Sequence, residues 1–316
     1  MNFLYFLSLL NLALLLGSVQ SMRADNNDSD SWSSLNVALV QYPLVGGLKL
    51  PQLMKKVEDY IEQASKKGSE LLVLPELFSL DLLDYNIPES EQWTEVMKEI
   101  FPALIIQFEK LAEQYNIYVL AGTVPAPVNG KIRNRSYLFS PTRSSVYQEK
   151  MFLTPDEVVW GWEAADTLSF INAPWGKTAI TICYDSEFPL ISQTLADHSI
   201  DVLLIPSMTG ASGFTRVRWA TQSRAVEHMT YVLVTGTFGD PSPNPEDGWA
   251  TTAQAAVLGP SLEGFTPLIA EGNMNTEEIV YAQLNLTQLR QAKLTGEYYP
   301  AFNQHNVILK EQELQV

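Results

Sequence analysis

The chain has 316 residues, 46% of them hydrophobic and 18% charged, which supplies a sizeable core and too little charge for a disordered polypeptide. Twenty Lys and Arg against 36 Asp and Glu leave a net charge of −16, a field that repels phosphate backbones and anionic lipid. A single cysteine, Cys183, excludes an internal disulfide, and three histidines (His198, His228, His305) leave little for a metal site. Nucleic acid, a lipid surface and a metal are therefore not the expected partners.

Residues 3–17 carry no charge and are mostly Leu and Phe, a run shorter than the ~20 residues that span a bilayer. Val19 and Ser21 then offer the small or neutral groups that suit a signal peptidase. The expected division is a signal peptide over 1–21, a solvated tether over 22–34 and one domain over 35–316. Export places the mature protein in a periplasm or outside the cell, with no stable membrane association; an uncleaved, membrane-anchoring leader is the alternative. Asn27, Asn134 and Asn285 each open an N-x-S/T sequon.

From Leu35 onward apolar runs of strand length alternate with helical spacing. Leu35–Gln41 and Leu71–Leu74 read as strands, and Leu48–Lys67 between them as a helix that stops at Gly68. A second helix is predicted over Trp93–Tyr115 and a strand over Ile117–Gly122. Arg133–Ser140 and Ser145–Gln148 form a predicted hairpin across a Pro-Thr-Arg turn. Leu168–Ile171 and Lys177–Ile182 follow as strands, then a helix over Pro189–Asp197 and a strand over Val202–Ile205. The helix Thr215–Met229, the strand Tyr231–Thr237 and shorter strands to Leu284 complete the series. This mixture predicts an α/β fold with buried mixed sheets.

Three residues sit where predicted strands end. Cys183 follows the apolar strand ending at Ile182, Glu76 follows Leu71-Leu72-Val73-Leu74-Pro75, and Lys150 ends the strand after Glu149. Each has an ordinary explanation: a buried thiol acting as a small hydrophobe, a surface carboxylate at a loop entrance, a solvated ammonium. Each also has a chemical one. Cys is the most reactive nucleophile near neutral pH, a desolvated Glu is a good general base, and an ammonium beside a thiol lowers its pKa.

Taken in order, Glu76 in VLPELF, Lys150 in QEKMFLTPDE and Cys183 in ITICYDSEFP resemble the nitrilase superfamily of carbon–nitrogen hydrolases. The resemblance extends from the opening strand to about residue 295. It implies a four-layer α-β-β-α sandwich, assembled as a homodimer or larger, with Glu76, Lys150 and Cys183 as a catalytic set. A second Glu past the Lys is frequent in that family, and Glu157 matches it, with Asp156 adjacent. In the mechanism implied, Cys183 attacks the carbon of a small amide or nitrile while Glu76 moves the proton. Lys150 and the Tyr184 backbone N–H stabilise the developing anion, and no metal or organic cofactor is needed. Trp162, next to Trp160, is a candidate for the pocket mouth, and Arg216, on a helix near the site and the dimer seam in relatives, for substrate binding. His228, mid-helix, reads as a packing or surface residue.

The function expected is thus an exported amidase working through a Cys thioester. Nitrile hydrolysis and acyl transfer remain open for the same site, as does a non-catalytic binding protein that keeps the fold.

Overall fold

Strand β2 (Leu71–Val73) and the residue after it show how the layers arise: Leu71 and Val73 enter one hydrophobic cluster, Leu72 and Leu74 another. Successive side chains of a strand point to opposite faces, so an unbroken apolar run is what a strand buried on both faces requires. The computed structural model describes residues 32–83, 89–240, 250–295 and 298–304. The leader over 1–21, the first part of the tether, Asn27 and His305 lie outside these residues. Among the described residues no helix is long and apolar enough to cross a membrane.

The first sheet contains β1 (Ser34–Pro43), β2, β3 (Tyr118–Leu120), β4 (Val124–Val128), β5 (Lys131–Phe139), β6 (Ser145–Glu149) and β13 (Glu278–Asn285). Its parallel centre, β1-β2-β3, is flanked by antiparallel pairs, β13 on β1 and β5 on β3, β4 and β6. The second sheet contains β7 (Phe170–Ala173), β8 (Gly176–Ile180), β9 (Val202–Met208), β10 (Tyr231–Phe238), β11 (Ala256–Leu258) and β12 (Leu268–Glu271). Here β8, β9 and β10 run parallel. The two sheets meet where Tyr42 and Pro43 of β1 pair with Thr237 and Phe238 of β10.

Helices cover both outer faces. On the first sheet lie α1 (Leu50–Lys66) and α2 (Glu89–Gln114). Helix α1 turns Leu53, Met54, Val57, Tyr60, Ile61 and Ala64 inward, a single stripe at helical spacing, and its chain reverses at Gly68 with φ +81°. On the second sheet lie α4 (Pro189–Ala196) and α5 (Ala211–Glu227), whose Ile191, Leu195, Val217 and Ala225 join Val202–Ile205 and Val232–Val234. Helices α6 (Leu286–Thr295) and α7 (Pro300–Asn303) add Leu286, Leu289 and Ala301 to that cluster. The architecture is the four-layer α-β-β-α sandwich.

Several elements depart from the sequence expectation. β4 carries Pro125 and Pro127, which argue against a strand; it forms because its ladder runs along β5 alone, closed by Asn129 and Gly130, both at positive φ. The short helix α3 (Pro155–Val159) also lies in a stretch with no predicted element. Trp32, placed in the solvated tether, packs 5.9 Å from Trp175 and hydrogen-bonds the Pro174 carbonyl, so the packed domain begins upstream of Leu35.

Candidate active site

Three chain segments, each leaving the carboxyl end of a strand, bring one polar side chain apiece into a single buried cluster. Glu76 follows β2, Lys150 follows β6 and Cys183 comes three residues after β8. Each segment is locked by its own hydrogen bonds. Leu77, just past Glu76, takes φ +52° and donates its N–H to the Thr123 hydroxyl at 3.0 Å. The Lys150 N–H donates to the Asn134 carbonyl at 2.8 Å, extending the β5–β6 ladder by one step. Cys183 itself sits at φ +47°, in the left-handed region that side chains other than glycine occupy rarely and that recurs at functional turns. Its carbonyl accepts from the Ser186 hydroxyl at 2.7 Å.

The cluster is nearly sealed: Glu76 is 1% exposed, and Lys150, Glu157 and Cys183 are each 2% exposed. Lys150 Nζ lies 2.8 Å from Glu76 Oε1 and 2.8 Å from Glu157 Oε2. Asn134 Nδ2 donates to Glu76 Oε1 at 2.9 Å and to Glu157 Oε1 at 2.7 Å. Glu76 Oε2 accepts from the Met208 N–H at 2.8 Å, and the Met208 carbonyl lies 3.6 Å from Cys183 Sγ. Cys183 and Glu76 thus meet on opposite polar groups of Met208. Glu157 is placed by Thr154-Pro155-Asp156-Glu157, a capping box in which its carboxylate accepts from the Thr154 N–H at 2.8 Å. Asp156 beside it is exposed, so Glu157 is the carboxylate that reaches Lys150.

Burial sets the charges. It acts to strip the Lys150 proton, but Glu76 and Glu157 outweigh it and hold the ammonium well above its ordinary range. Burial pushes the Glu76 carboxyl up, Lys150 pulls it back and Glu157 adds to the rise. At Cys183 the expected downward pull of Lys150 is present but outweighed. Burial, the largest influence, together with the Glu76 carboxylate raises the thiol well above its usual value. A thiol and a carboxyl group held in one buried cluster give the components that general-base activation of a nucleophile needs. Among the described residues no group of three His, Cys, Asp or Glu side chains is arranged to hold a metal ion.

A further buried acid, Asp185, ties two of the three segments together. Its Oδ1 accepts from the Met151 and Phe152 N–H groups at 3.1 and 2.8 Å, and its Oδ2 from the Ile182 N–H at 3.1 Å. Burial pushes its carboxyl up to about 7, against Lys150 and those three donors. Asn at this position keeps one oxygen and turns an NH2 group onto a backbone donor. We expect Asp185→Asn to cost about 2 kcal/mol in urea unfolding, and an unchanged midpoint would remove the clamp from the account.

A family model described as carbon-nitrogen hydrolase matches residues 36–294. The chain belongs to the carbon–nitrogen hydrolase family. It is 31% identical over 267 residues to "Probable hydrolase YhcX" of Bacillus subtilis, covering 83% of this chain but 52% of that protein, so it spans about half of YhcX. It is 27% identical over 266 residues to "Omega-amidase NIT3" of Saccharomyces cerevisiae, with 79% and 87% of the two chains covered. Among solved structures, yeast Nit3, a member of the nitrilase superfamily, superposes with TM-score 0.66 at 23% identity, covering 84% of this chain and 96% of Nit3. The C. elegans NitFhit protein gives TM-score 0.73 at 18% identity, over 86% and 65%. The four-layer fold is common to them.

The other singled-out residues of this carbon–nitrogen hydrolase fall elsewhere. Tyr184 follows Cys183 in the same turn (Cys183–Glu187), its ring edge-on to Phe188 at 4.8 Å. Trp162, expected at a pocket mouth, is packed into the core under the first sheet's helices with its ring 5.2 Å from Trp160. Arg216 is not part of the buried cluster; its mostly exposed side chain pairs with Glu187 Oε2 at 3.0 Å. His228 is buried, 3.0 Å from the Ser192 hydroxyl, and burial lowers it to about 4, in keeping with a packing residue. Asn134, which opens a sequon, is wholly buried and its side chain belongs to the site, whereas Asn285 is exposed at the end of β13. Asn134 is the functional side chain that motif reading passes over. Its parity in β5, with Ile132, Ser136 and Leu138 also buried and the intervening residues more exposed, is the available signal.

Proposed function

We propose that this protein is an exported amidase that cleaves a small amide through a thioester on Cys183. The observation that carries the proposal is the convergence of Cys183 and Glu76 on Met208 in one buried cluster, Sγ 3.6 Å from its carbonyl and Glu76 Oε2 2.8 Å from its N–H, with Glu76 bonded to the Lys150 ammonium. Sulfur attacks the carbonyl carbon as its proton passes to Glu76. The oxyanion is met by Lys150 Nζ and by the Tyr184 N–H, a donor at the start of a helical turn where the first N–H groups lack internal partners. One such donor is worth about 3 kcal/mol at the transition state. Glu76 returns the proton to the leaving nitrogen, and ammonia or an amine departs. A water then attacks the thioester, Glu76 takes its proton and passes it to the departing sulfur, and the carboxylic acid leaves with the Cys183 thiol restored.

Amides are favoured over nitriles because several relatives, from yeast Nit3 to the Synechocystis "Deaminated glutathione amidase", carry amidase names. Export rests on the uncharged run at residues 3–17, and a homodimer or larger assembly on the family resemblance. The test is ammonia release from a panel of small amides, with mass spectrometry of the intact protein. The expected result is an acyl adduct on Cys183 whose mass reports the acid, absent from Cys183→Ala protein. Turnover that survives that substitution would falsify the thioester route. An adduct passed to an added amine instead of water indicates acyl transfer.

A further inference from the structure

We infer that Asn134 is a positioning residue that decides which carboxylate oxygen receives the Cys183 proton. The inference rests on the proton-transfer role given above to Glu76, and it comes from counting acceptor sites. A carboxylate offers about four lone-pair positions, two on each oxygen. Glu157 meets four donors, one at Oε1 (Asn134 Nδ2) and three crowded at Oε2 (Lys150 Nζ, the Thr154 N–H and, at 3.1 Å, the Thr154 hydroxyl). Glu76 meets three. Lys150 and Asn134 fill Oε1, and the Met208 N–H takes one position on Oε2. A single acceptor position is left on Glu76, on the oxygen facing the Met208 segment against which Cys183 Sγ rests.

Asn134 is the member that makes this count come out. One amide nitrogen supplies a hydrogen to each carboxylate and closes a ring with Lys150 on the opposite side. The two carboxyl groups are thereby held side by side, with neither free to turn. The ring also fixes the amide: Asn134 Oδ1 is buried with no hydrogen-bond partner, and a flip that exchanged it with Nδ2 would set an oxygen against two carboxylates. The backbone enforces the placement, because Asn134 pairs with Pro125 on one side and accepts from the Lys150 N–H on the other. Cross-strand neighbours of this kind carry their side chains on one face.

Infrared titration of protein labelled with 13C at the Glu carboxyls reads this without any substrate, so a failure of the amidase proposal leaves the measurement intact. Asn134→Ala removes a donor from both carboxylates. The C=O stretch of a protonated buried acid, assigned by its loss on Glu76→Gln, is expected to appear about one pH unit higher than in the wild type. The acid limb of kcat/KM on an amide is expected to move by the same amount. Asn134→Ser retains one donor and is expected to fall between; it serves if the alanine variant does not fold. Onsets that coincide in wild type and a folded variant overturn the inference. Should neither variant fold, wild-type NMR decides: both Asn134 Nδ2 protons should lie downfield and exchange slowly, and an ordinary solvent-exchanging amide pair overturns it.

Discussion

Replacing Lys150 by Met should lower kcat/KM on the order of 10⁴-fold, because one side chain serves both as oxyanion donor and as the counter-charge that keeps the base ionised. With Lys150 present, one ammonium is shared between the Glu76 and Glu157 carboxyl groups in a cluster of 1–2% exposure. Without it two carboxylates face each other there, and one must take up a proton near neutral pH. The same change should remove about 3–5 kcal/mol of stability, the usual consequence of leaving one partner of a buried ion pair. The pH dependence has a definite sign. Carboxyls whose folded pKa lies above the unfolded value favour folding when protonated, so the deficit is smallest below about pH 4 and grows as pH rises through the raised values. Urea unfolding at about pH 5 and pH 8 should therefore show a larger loss at the higher pH. An equal loss at both would mean that the two carboxylates do not depend on Lys150 for their charge.

The sequence shows this site only in part, and the division has a physical cause. Glu76, Lys150 and Cys183 are legible because each stands at a strand end, a local feature, and the three motifs in order resemble the nitrilase superfamily. Glu157 is separable from Asp156 by a local signal too, since Thr154 three residues earlier completes a capping box. Asn134 is not legible as a motif, because its partners lie 58 and 23 residues away and only the fold brings them within reach. β4 is hidden for a similar reason: its prolines oppose a strand, and the β5 ladder that accommodates them is a tertiary fact. Trp162 shows a different ambiguity, since an aromatic near a catalytic loop reads alike in sequence whether it lines a pocket or fills a core. The thiol follows the same logic. Charge identity is written in the sequence, but the burial that outweighs Lys150 at Cys183 is not.

Gly122→Ala should leave little folded protein, and what folds should be nearly inactive. Gly122 follows β3 at φ +50°, and an added Cβ would lie 1.9 Å from the Pro75 carbonyl oxygen and 2.8 Å from its carbon. Both are backbone atoms, so no side chain can swing aside. The strand ends are tied at this point by the Leu74 N–H to Leu120 carbonyl bond of 2.9 Å, so relief requires β2 and β3 to part. Pro75 directly precedes Glu76, and that movement carries the base away from the thiol. We expect a loss of more than about 4 kcal/mol, the range of severe core disruption. In any folded fraction a displacement of about 1 Å should lower kcat at least about 10²-fold. Gly68→Ala separates strain from collision: its φ of +81° is at least as unfavourable for alanine, yet nothing lies within 4 Å of the added atom. That variant should lose only about 1 kcal/mol and keep full activity. If the two variants melt alike, close approach at Gly122 is not what seats Glu76.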